Sequence, residues 1–370
     1  MTLSVLLHGA VNERVCGTDN GSDIADALSV RMHERAHSLP PSVELVVSVL
    51  SAPANWAARD ACRNTWFRFA RNVERVNGSV ALRFVVADAN SSELERRLRF
   101  EQRLHGDIVR VQGADAYRRL THKTLAAMRW LARSSSSFRW WLKTDDDSFV
   151  RLDRLVLQLR RYCGDAAQLC QWGFFSVGAQ RISDRAHKWF DDVFAGDTYP
   201  PYALGTAYAL SAEAVRRLVA DDERAPLTMF ANEDSAVGLW LERHNVTRIE
   251  ALWNLLPFVS AYEDEQADKC EDSMIVRSHC GSSNDMYRIL ATYESCGRMC
   301  SCCPLTPRQK MRLRDDDHER RDWYARQRAE RAAQCRQLYG DAVAARAVAA
   351  EPLKDAAVWI NASLAAAAQR

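Results

Sequence analysis

Three adjacent acidic residues, Asp145, Asp146 and Asp147, directly follow an apolar, aromatic segment at 138–143. Adjacent carboxylates repel one another, and a divalent cation bound beside them would relieve that repulsion. Carboxylate oxygens select Mg²⁺ or Mn²⁺ over softer metals. Because alternate side chains of an extended segment face the same way, Asp145 and Asp147 can act together while Asp146 points elsewhere. The competing interpretation of such a triplet is a solvated acidic turn.

A second acidic triplet, at 315–317, shows how much the context of such a group matters. Arginines lie close to it in the sequence on both sides, and no apolar segment precedes it. Ion pairing on the surface of a helix is its expected role. The apolar segment before Asp145 therefore distinguishes the first triplet as the candidate binding site.

An acidic pair, Glu233 and Asp234, precedes an apolar segment and is a candidate for the other half of a reaction centre. A metal-bound diphosphate leaves readily only when a nucleophile is activated on the opposite face, and Asp234 could take a proton from an acceptor hydroxyl. Helix capping is the alternative role for the pair. His279 could add a neutral imidazole nitrogen to the metal's ligands, although a lone histidine is more often structural.

The elements that must position these residues alternate between strand and helix. Apolar segments rich in β-branched residues predict strands, and amphipathic segments between them predict helices. The predicted strands are 43–50, 82–87, 108–111 and 138–143, and the predicted helices are 59–72, 94–104 and 118–132. This alternation is typical of a doubly wound α/β sheet, in which ligands bind beyond the carboxyl ends of the strands.

The chain divides into three parts by composition. Residues 1–42 are polar and indicate a stem or linker, 43–305 the catalytic domain, and 306–370 a polar C-terminal extension with helices. The 50 basic residues nearly balance the 48 acidic ones, and no basic face emerges, so we expect no nucleic-acid partner. A Mg²⁺-dependent phosphotransferase is disfavoured because no glycine-rich phosphate loop of the Walker or kinase type is present.

Cysteines and glycosylation sequons together indicate an oxidising secretory compartment. The chain has 11 cysteines and five Asn-x-Ser/Thr sequons, at Asn20, Asn77, Asn90, Asn245 and Asn361. Yet no apolar segment reaches the roughly 18 residues of a membrane-spanning helix, and the first ten residues lack the basic start of a signal peptide. Either a signal anchor is missing from this sequence, or the secretory interpretation is wrong.

Four cysteines cluster at 296–303, where a zinc site is conceivable. The adjacent pair at 302–303 and the missing second knuckle favour disulfides instead. We expect local disulfides between Cys163 and Cys170 and between Cys270 and Cys280. An odd total leaves at least one free thiol, for which Cys62 is the candidate.

Several of these segments, taken in order, resemble motifs of the β-1,3-galactosyltransferase family, glycosyltransferase family 31. They read R-x-x-x-R-x-T-W at 59–66, D-x-Y at 115–117 with T-x-K-T at 121–124, K-T-D-D-D-x-F-V at 143–150, Y-P-P-Y-x-x-G-x-x-Y at 199–208 and E-D-x-x-x-G at 233–238. Arg119 stands where the family usually has asparagine. The resemblance covers about residues 43–290, and the ordered combination is highly specific.

The resemblance implies a GT-A fold and an inverting transfer of galactose from UDP-galactose, assisted by Mn²⁺. Residue by residue, it implies that Asp234 is the catalytic base and that Asp147 and His279 ligate the metal. The same comparison implies a set of residues that bind the nucleotide sugar and its metal: Arg63, Lys123, Asp145, Asp146 and Asp147. Trp172 is expected either to stack on an acceptor sugar or to pack in the core.

Segments around Trp172, Pro201 and His279 most resemble the family members that build the proteoglycan linker, which implies the 3-hydroxyl of Gal-β-1,4-Xyl as acceptor. Thr206 and Ala207 replace a glycine pair, so another acceptor or a UDP-N-acetylhexosamine donor is the nearest alternative. A catalytically inactive chaperone or lectin is another. The resemblance also implies a Golgi membrane location, with a lumenal domain behind an N-terminal anchor that this chain lacks. The oligomeric state stays open.

Overall fold

The computed structural model describes residues 39–164, 168–187, 189–251, 255–256, 274–280, 282–296 and 299. Most of the expected stem and all of the expected C-terminal extension lie outside these ranges. So do Cys270, the acidic triplet at 315–317 and the sequons at Asn20 and Asn361. Within the described ranges, no helix combines the length and the apolar character needed to cross a bilayer.

Strands and helices alternate through the first half of the domain, as the sequence predicts. The elements are β1 (Ser42–Ser51), α1 (Trp56–Asn64), α2 (Ala70–Glu74), β2 (Val80–Asp88), α3 (Ser92–His105), β3 (Ile108–Ala114), α4 (Leu120–Arg133) and β4 (Ser137–Asp145). Two 3₁₀ turns, Trp66–Phe69 and Tyr117–Arg119, precede α2 and α4.

The second half adds six further strands and four further helices to the described part of the chain. The elements are β5 (Phe149–Val150), α5 (Leu152–Tyr162), β6 (Cys170–Ser176), β7 (Tyr202–Ser211), α6 (Ala212–Arg224), α7 (Glu233–Glu242), β8 (Thr247–Glu250), β9 (Leu255–Leu256), β10 (Val276–Arg277) and α8 (Ser283–Cys296).

The main sheet has seven strands in the order β3-β2-β1-β4-β7-β6-β8. All of its pairs are parallel except those made by β7, which runs antiparallel to both β4 and β6. A small three-stranded sheet, β5-β10-β9, lies beside it. This mostly parallel sheet with flanking helices confirms the expected α/β, GT-A-like fold class.

The hydrophobic core has two parts, one on each face of the main sheet. Side chains of the central strand β1 enter both parts, with Leu45, Val47 and Val49 in one and Val46 and Leu50 in the other. Burying each such side chain contributes about 1.5–3 kcal/mol. A strand buried on both faces is therefore apolar without interruption, which is the pattern that predicts β1.

The single helix predicted at 59–72 is wrong, because the helix breaks at Thr65. The Thr65 hydroxyl donates to the Ala61 carbonyl oxygen at 2.6 Å, and bonds of this kind to the preceding turn bend helices. Thr65 has φ −116° and ψ −100°, outside the helical region. The break turns the indole of Trp66 into the core, where it is fully buried.

The structure pairs Cys163 with Cys170, as predicted, with a Cα–Cα distance of 5.9 Å. The bond joins the end of α5 to the start of β6. Cys62 carries a free thiol, also as predicted. It is fully buried, and burial raises the pKa of its thiol. The predicted pairing of Cys280 with Cys270 is wrong, because Cys280 also carries a free thiol in the structure; Cys270 itself lies outside the described ranges.

Candidate active site

The acidic triplet lies where the carboxyl ends of the central strands β1 and β4 meet. These strands pair in parallel up to Leu50 and Asp145. Asp145 ends β4, and the chain then turns, with the Ser148 amide donating to the Asp145 carbonyl oxygen at 3.2 Å. The triplet thus occupies the edge of the sheet at which ligands of α/β proteins bind.

The three carboxylates of the triplet face different surroundings. Asp145 Oδ1 lies 2.8 Å from Lys143 Nζ, and burial raises the pKa of Asp145 to about 6 despite that cation. Asp146 Oδ2 accepts hydrogen bonds from the Ser51 hydroxyl at 2.6 Å and the Asn55 amide at 3.0 Å. The Asp147 side chain is 41% exposed. Asp146 therefore anchors the triplet to the segment after β1, whereas Asp147 faces outward.

His279 approaches Asp147 from the segment after β10. Its Nδ1 lies 3.4 Å from Asp147 Oδ2, and its side chain is 45% exposed. The Cys280 amide donates to the Asp147 carbonyl oxygen at 2.8 Å, which holds the two segments together. His279 has φ +55°, a left-handed conformation that costs free energy in a residue other than glycine and that clusters at functional sites. The fold therefore places these two predicted metal ligands side by side.

A cavity of about 550 Å³ opens beside this pair. It lies between the start of α1 and the start of α8, and its walls include both predicted metal ligands and Asp146. The remaining lining residues are Ala54, Asn55, Ala57, Ala58, Cys280, Ser282, Ser283 and Met286. Its size and mixed polar and apolar walls suit a small organic ligand.

The Asp147 and His279 pair fits a divalent cation that takes its remaining ligands from a bound molecule. One carboxylate and one imidazole are donors that Mn²⁺ accepts. No group of three or more candidate metal-ligating side chains occurs within the described ranges. Cations of this kind commonly use one or two protein carboxylates together with phosphate oxygens and water.

Asp234 lies in the first turn of α7 and is held by two backbone amides. Gly205 of β7 donates to its Oδ2 at 3.0 Å, and Ser235 donates to its Oδ1 at 2.9 Å. Burial and then the charge of Glu233 raise the pKa of Asp234 to about 6, while the two amide bonds and Lys143 oppose that shift. Asn232, not Asp234, occupies the N-cap position. The arrangement gives an oriented carboxylate whose pKa suits proton transfer near neutral pH.

Beneath Asp234, Glu233 is buried in a polar network that sequence reasoning did not foresee. The Thr124 hydroxyl donates to its Oε1 at 2.9 Å, and the Tyr208 hydroxyl donates to the same atom. Its Oε2 lies 3.6 Å from Lys143 Nζ. Burial opposes the charge of Lys143, but Asp145 and Glu233 together raise the pKa of its ammonium group. One buried cation therefore lies between the triplet and the acidic pair.

The structure places Lys123 and Arg63 in intramolecular ion pairs. Lys123 Nζ donates to Asp115 and to the Ser51 carbonyl oxygen, so it supports the end of β1. Arg63 lies 2.7 Å from Asp107 and 2.8 Å from Glu101, and its guanidinium covers the Phe84 ring. Neither residue is among those lining the cavity. Their roles in nucleotide binding stay predictions.

Trp172 packs in the core, which is one of its two expected roles. Its side chain is fully buried, and its indole donates to Gln158 Oε1 at 2.6 Å. A side chain in this position presents no face to an acceptor sugar.

Arg59 and Ser51 are supporting residues that sequence reasoning missed. The buried Arg59 guanidinium binds both carboxylate oxygens of Glu101 and donates to the Ser51 hydroxyl at 2.8 Å. It also donates to the carbonyl oxygens of Ala52 and Pro53. Ser51 in turn donates to Asp146, so a continuous chain of hydrogen bonds runs from α3 to the triplet. Arg59 is the first residue of the R-x-x-x-R-x-T-W motif, and that position is the sequence feature that could have identified it.

Comparisons with known proteins find galactosyltransferases. Residues 57–251 match the model of a family described as galactosyltransferase. A mouse protein, beta-1,3-galactosyltransferase 6, is 38% identical over 209 residues, which cover 55% of this chain and 62% of the relative. The Arabidopsis thaliana beta-1,3-galactosyltransferase GALT1 is 29% identical over 70% of this chain and 39% of the relative. The Arabidopsis thaliana hydroxyproline O-galactosyltransferase GALT6 is 31% identical over a region that covers 59% of this chain and 31% of the relative.

The chain thus spans less than two thirds of the length of these three relatives. Among solved structures, it is similar to a glycosyltransferase involved in the glycosylation of the major capsid of PBCV-1. That match has a TM-score of 0.34 and 11% sequence identity, and it covers 67% of this chain and 99% of the other.

Proposed function

Because the chain belongs to the galactosyltransferase family, glycosyltransferase family 31, we propose that it is an inverting β-1,3-galactosyltransferase that uses UDP-galactose. The observation that carries this proposal is that buried Lys143 joins two acidic motifs: it lies 2.8 Å from Asp145, in the triplet whose Asp147 pairs with His279, and 3.6 Å from Glu233, the neighbour of Asp234. The first motif suits a metal-bound diphosphate, and the second suits an acceptor hydroxyl.

Asp234 acts as the general base in this proposal. It takes the proton of the acceptor 3-hydroxyl as that oxygen bonds to the anomeric carbon of galactose. The bond from that carbon to the diphosphate oxygen breaks at the same time, and UDP leaves with the electron pair. A single displacement from the opposite face converts the α-linked donor into a β-linked product. The amides of Gly205 and Ser235 fix the carboxylate for this step.

Asp147 and His279 would hold Mn²⁺, which as a Lewis acid offsets charge on the departing diphosphate. The cavity beside them is the proposed site of the nucleotide, with Asn55 and Asp146 in its wall. The hydrogen bonds to Asp146 fix that wall before a ligand arrives, which lowers the entropic cost of binding.

The proposed acceptor is the 3-hydroxyl of a terminal galactose, in Gal-β-1,4-Xyl of the proteoglycan linker. Motif resemblance supports this choice, and the mouse relative's name supports a β-1,3-linked galactose product. The Arabidopsis relative named as a hydroxyproline O-galactosyltransferase makes a different acceptor class the principal rival.

The proposed location is the Golgi lumen, in a protein anchored by an N-terminal helix. The Cys163–Cys170 disulfide and the sequons support an oxidising, glycosylating compartment.

A panel of donors and acceptors tests the proposal. Purified protein is incubated with Mn²⁺, one of UDP-galactose, UDP-N-acetylglucosamine or UDP-N-acetylgalactosamine, and a glycoside of Gal-β-1,4-Xyl, Gal or hydroxyproline. We expect transfer from UDP-galactose to Gal-β-1,4-Xyl, with a β-1,3 linkage shown by NMR. Transfer to hydroxyproline alone would replace the acceptor. Transfer from UDP-N-acetylglucosamine alone would replace the donor and leave the family assignment intact.

A further inference from the structure

Three of the five sequons lie in the described part of the chain, and all three occupy loops. Asn77 lies between α2 and β2, Asn90 between β2 and α3, and Asn245 between α7 and β8. All three asparagines are exposed. None of their side-chain amides has a hydrogen-bond partner among the described residues. A folded domain can carry an oligosaccharide at such positions without losing a contact.

The positions of two sequons relative to the candidate active site add a second argument. The site lies at the carboxyl ends of the parallel strands, whereas Asn77 and Asn245 come just before β2 and β8. They therefore lie at the opposite edge of the sheet. Nine-residue β2 separates the two edges by about 30 Å at roughly 3.3 Å per residue. A bulky group there leaves the cavity open.

The disulfide provides an independent observation at that same edge. Thr247, the third residue of the Asn245 sequon, pairs with Cys170 in the sheet, and Cys170 is bonded to Cys163. Disulfides and N-linked glycans are formed in the same secretory compartment. Two features of that compartment's chemistry thus meet on one surface.

The Asn77 sequon also has a structural reason to exist. Asn77 has φ +55°, which asparagine tolerates better than most residues, and a side chain at Gly78 would clash with Glu44 and Val73. Arg160 fixes this turn by donating to the Val76 carbonyl oxygen at 2.9 Å. Neither Asn90 nor Asn245 has a positive φ, so the backbone conformation does not account for asparagine at these two positions.

We propose that Asn77, Asn90 and Asn245 are N-glycosylation sites of this protein. The proposal rests on the lumenal location given under the proposed function. In the modification, the asparagine amide nitrogen bonds to the anomeric carbon of an oligosaccharide carried on a polyprenyl diphosphate. The bond from that carbon to the diphosphate oxygen breaks, the diphosphate leaves with the electron pair, and the amide nitrogen loses one proton.

The test uses the full 370-residue chain directed into the secretory pathway of eukaryotic cells by an added signal sequence. Peptide N-glycosidase treatment in H₂¹⁸O converts each glycosylated asparagine to labelled aspartate, which peptide mass spectrometry locates. We expect label at all three positions and none in the same chain made in the cytosol. Recovery of unlabelled Asn90 and Asn245 peptides from secreted, folded protein would overturn the proposal.

Single variants keep the test independent of folding and of the reaction. Asn90→Gln and Asn245→Gln each destroy one sequon. Asn77→Gly destroys the third with a residue that readily adopts the positive φ of that position. Each variant should lose one glycan in mass, and Asn77→Gly and Asn245→Gln should keep transferase turnover within about twofold. A glycosylated chain with no transferase activity would contradict the proposed function alone. An active secreted chain without label would contradict the glycosylation alone.

Discussion

The two halves of the candidate site present their acidic groups in opposite ways. On the donor side, Asp147 and His279 are both more than two fifths exposed and face a cavity. On the base side, Glu233 is 4% exposed, and Asp234 is held by two backbone amides. The proposed donor side would depend on a ligand to complete it, whereas the protein itself holds the carboxylates of the proposed base side in place.

The cation of Lys143 explains how the carboxylates of both halves can lie close together despite their mutual repulsion. Three carboxylates, those of Asp145, Glu233 and Asp234, raise its pKa, and its ammonium group lies 2.8 Å from the first and 3.6 Å from the second. A buried cation shared in this way offsets repulsion between acids on two different elements. The acidic motifs at 145–147 and 233–234 therefore form one electrostatic unit, although only the first of them lines the cavity.

The largest effect is expected from removing the base. Asp234→Asn keeps the shape of the side chain but cannot accept the acceptor's proton, so kcat should fall about 10²–10⁴-fold. Because Asp234 is not among the residues that line the cavity, UDP binding measured by calorimetry should stay within about twofold. Full retained turnover would show that Asp234 is not the base, and lost UDP binding would show that the two halves are not separable.

Removing a metal ligand should have the next largest effect, on the donor side alone. Asp147→Ala should lower kcat/KM by about 100-fold or more, since metal stabilisation of the leaving group contributes several kcal/mol and each 1.36 kcal/mol is tenfold. Titration with Mn²⁺ measures the effect, because the variant should need more metal. Glu223→Ala, at an exposed position of α6, is the control and should change neither quantity. An unchanged Mn²⁺ titration would refute the role of Asp147.

The pH dependence should reveal the charge that the two halves share. A general base must be deprotonated, so kcat/KM should be constant above the pKa of about 6 and fall as pH decreases through it. Glu233→Gln removes a charge that raises the pKa values of Asp234 and Asp145, so the acid limb of the profile should move to lower pH. A profile that keeps its midpoint after Glu233→Gln would contradict the shared network.

The smallest effect on catalysis is expected from removing a hydrogen bond that holds Asp146 in place. Ser51→Ala removes the hydroxyl between Arg59 and Asp146, a hydrogen bond worth about 0.5–1.5 kcal/mol, so KM for the donor should rise about 2–10-fold with kcat nearly unchanged. Ser48→Ala is a matched control on the same strand. It loses a bond from Trp141 and should lower thermal stability without changing KM. Equal changes of KM in both variants would show that Ser51 contributes to stability and does not specifically position the donor site.

The sequence predicts the first four strands well and the later ones poorly. Strands β1 to β4 are apolar and rich in β-branched or aromatic residues, which is the pattern of a buried parallel sheet. Strand β7 carries alanines, glycine and serine instead, and its antiparallel direction depends on partners distant in sequence. Local patterns cannot report such a partner, so the second half of the sheet was not foreseen.

For the candidate site too, the sequence predicts individual residues but not the long-range contacts that they make. The motifs locate Asp147, His279 and Asp234, because each carries its chemistry in its own side chain. They do not reveal that Arg63 pairs with Asp107, since that contact joins residues 44 apart in the sequence. Nor do they reveal that Glu233 is buried against Thr124. Burial and ion pairing arise from tertiary packing, which a linear motif does not contain.

Because strand β7 runs antiparallel to its neighbours, different segments of the chain position the two halves of the candidate site. Strands β1 and β4 reach the site with their last residues, whereas β7 meets it with its first ones, from Tyr202 to Gly205. The segment that leads into β7, residues 177–201, therefore arrives on the side of Asp234. Exchanging that segment would alter the surroundings of the proposed acceptor site while β1 and β4 remain as they are. In this architecture the surroundings of Asp234 can change while the strands that carry the acidic triplet keep their sequence.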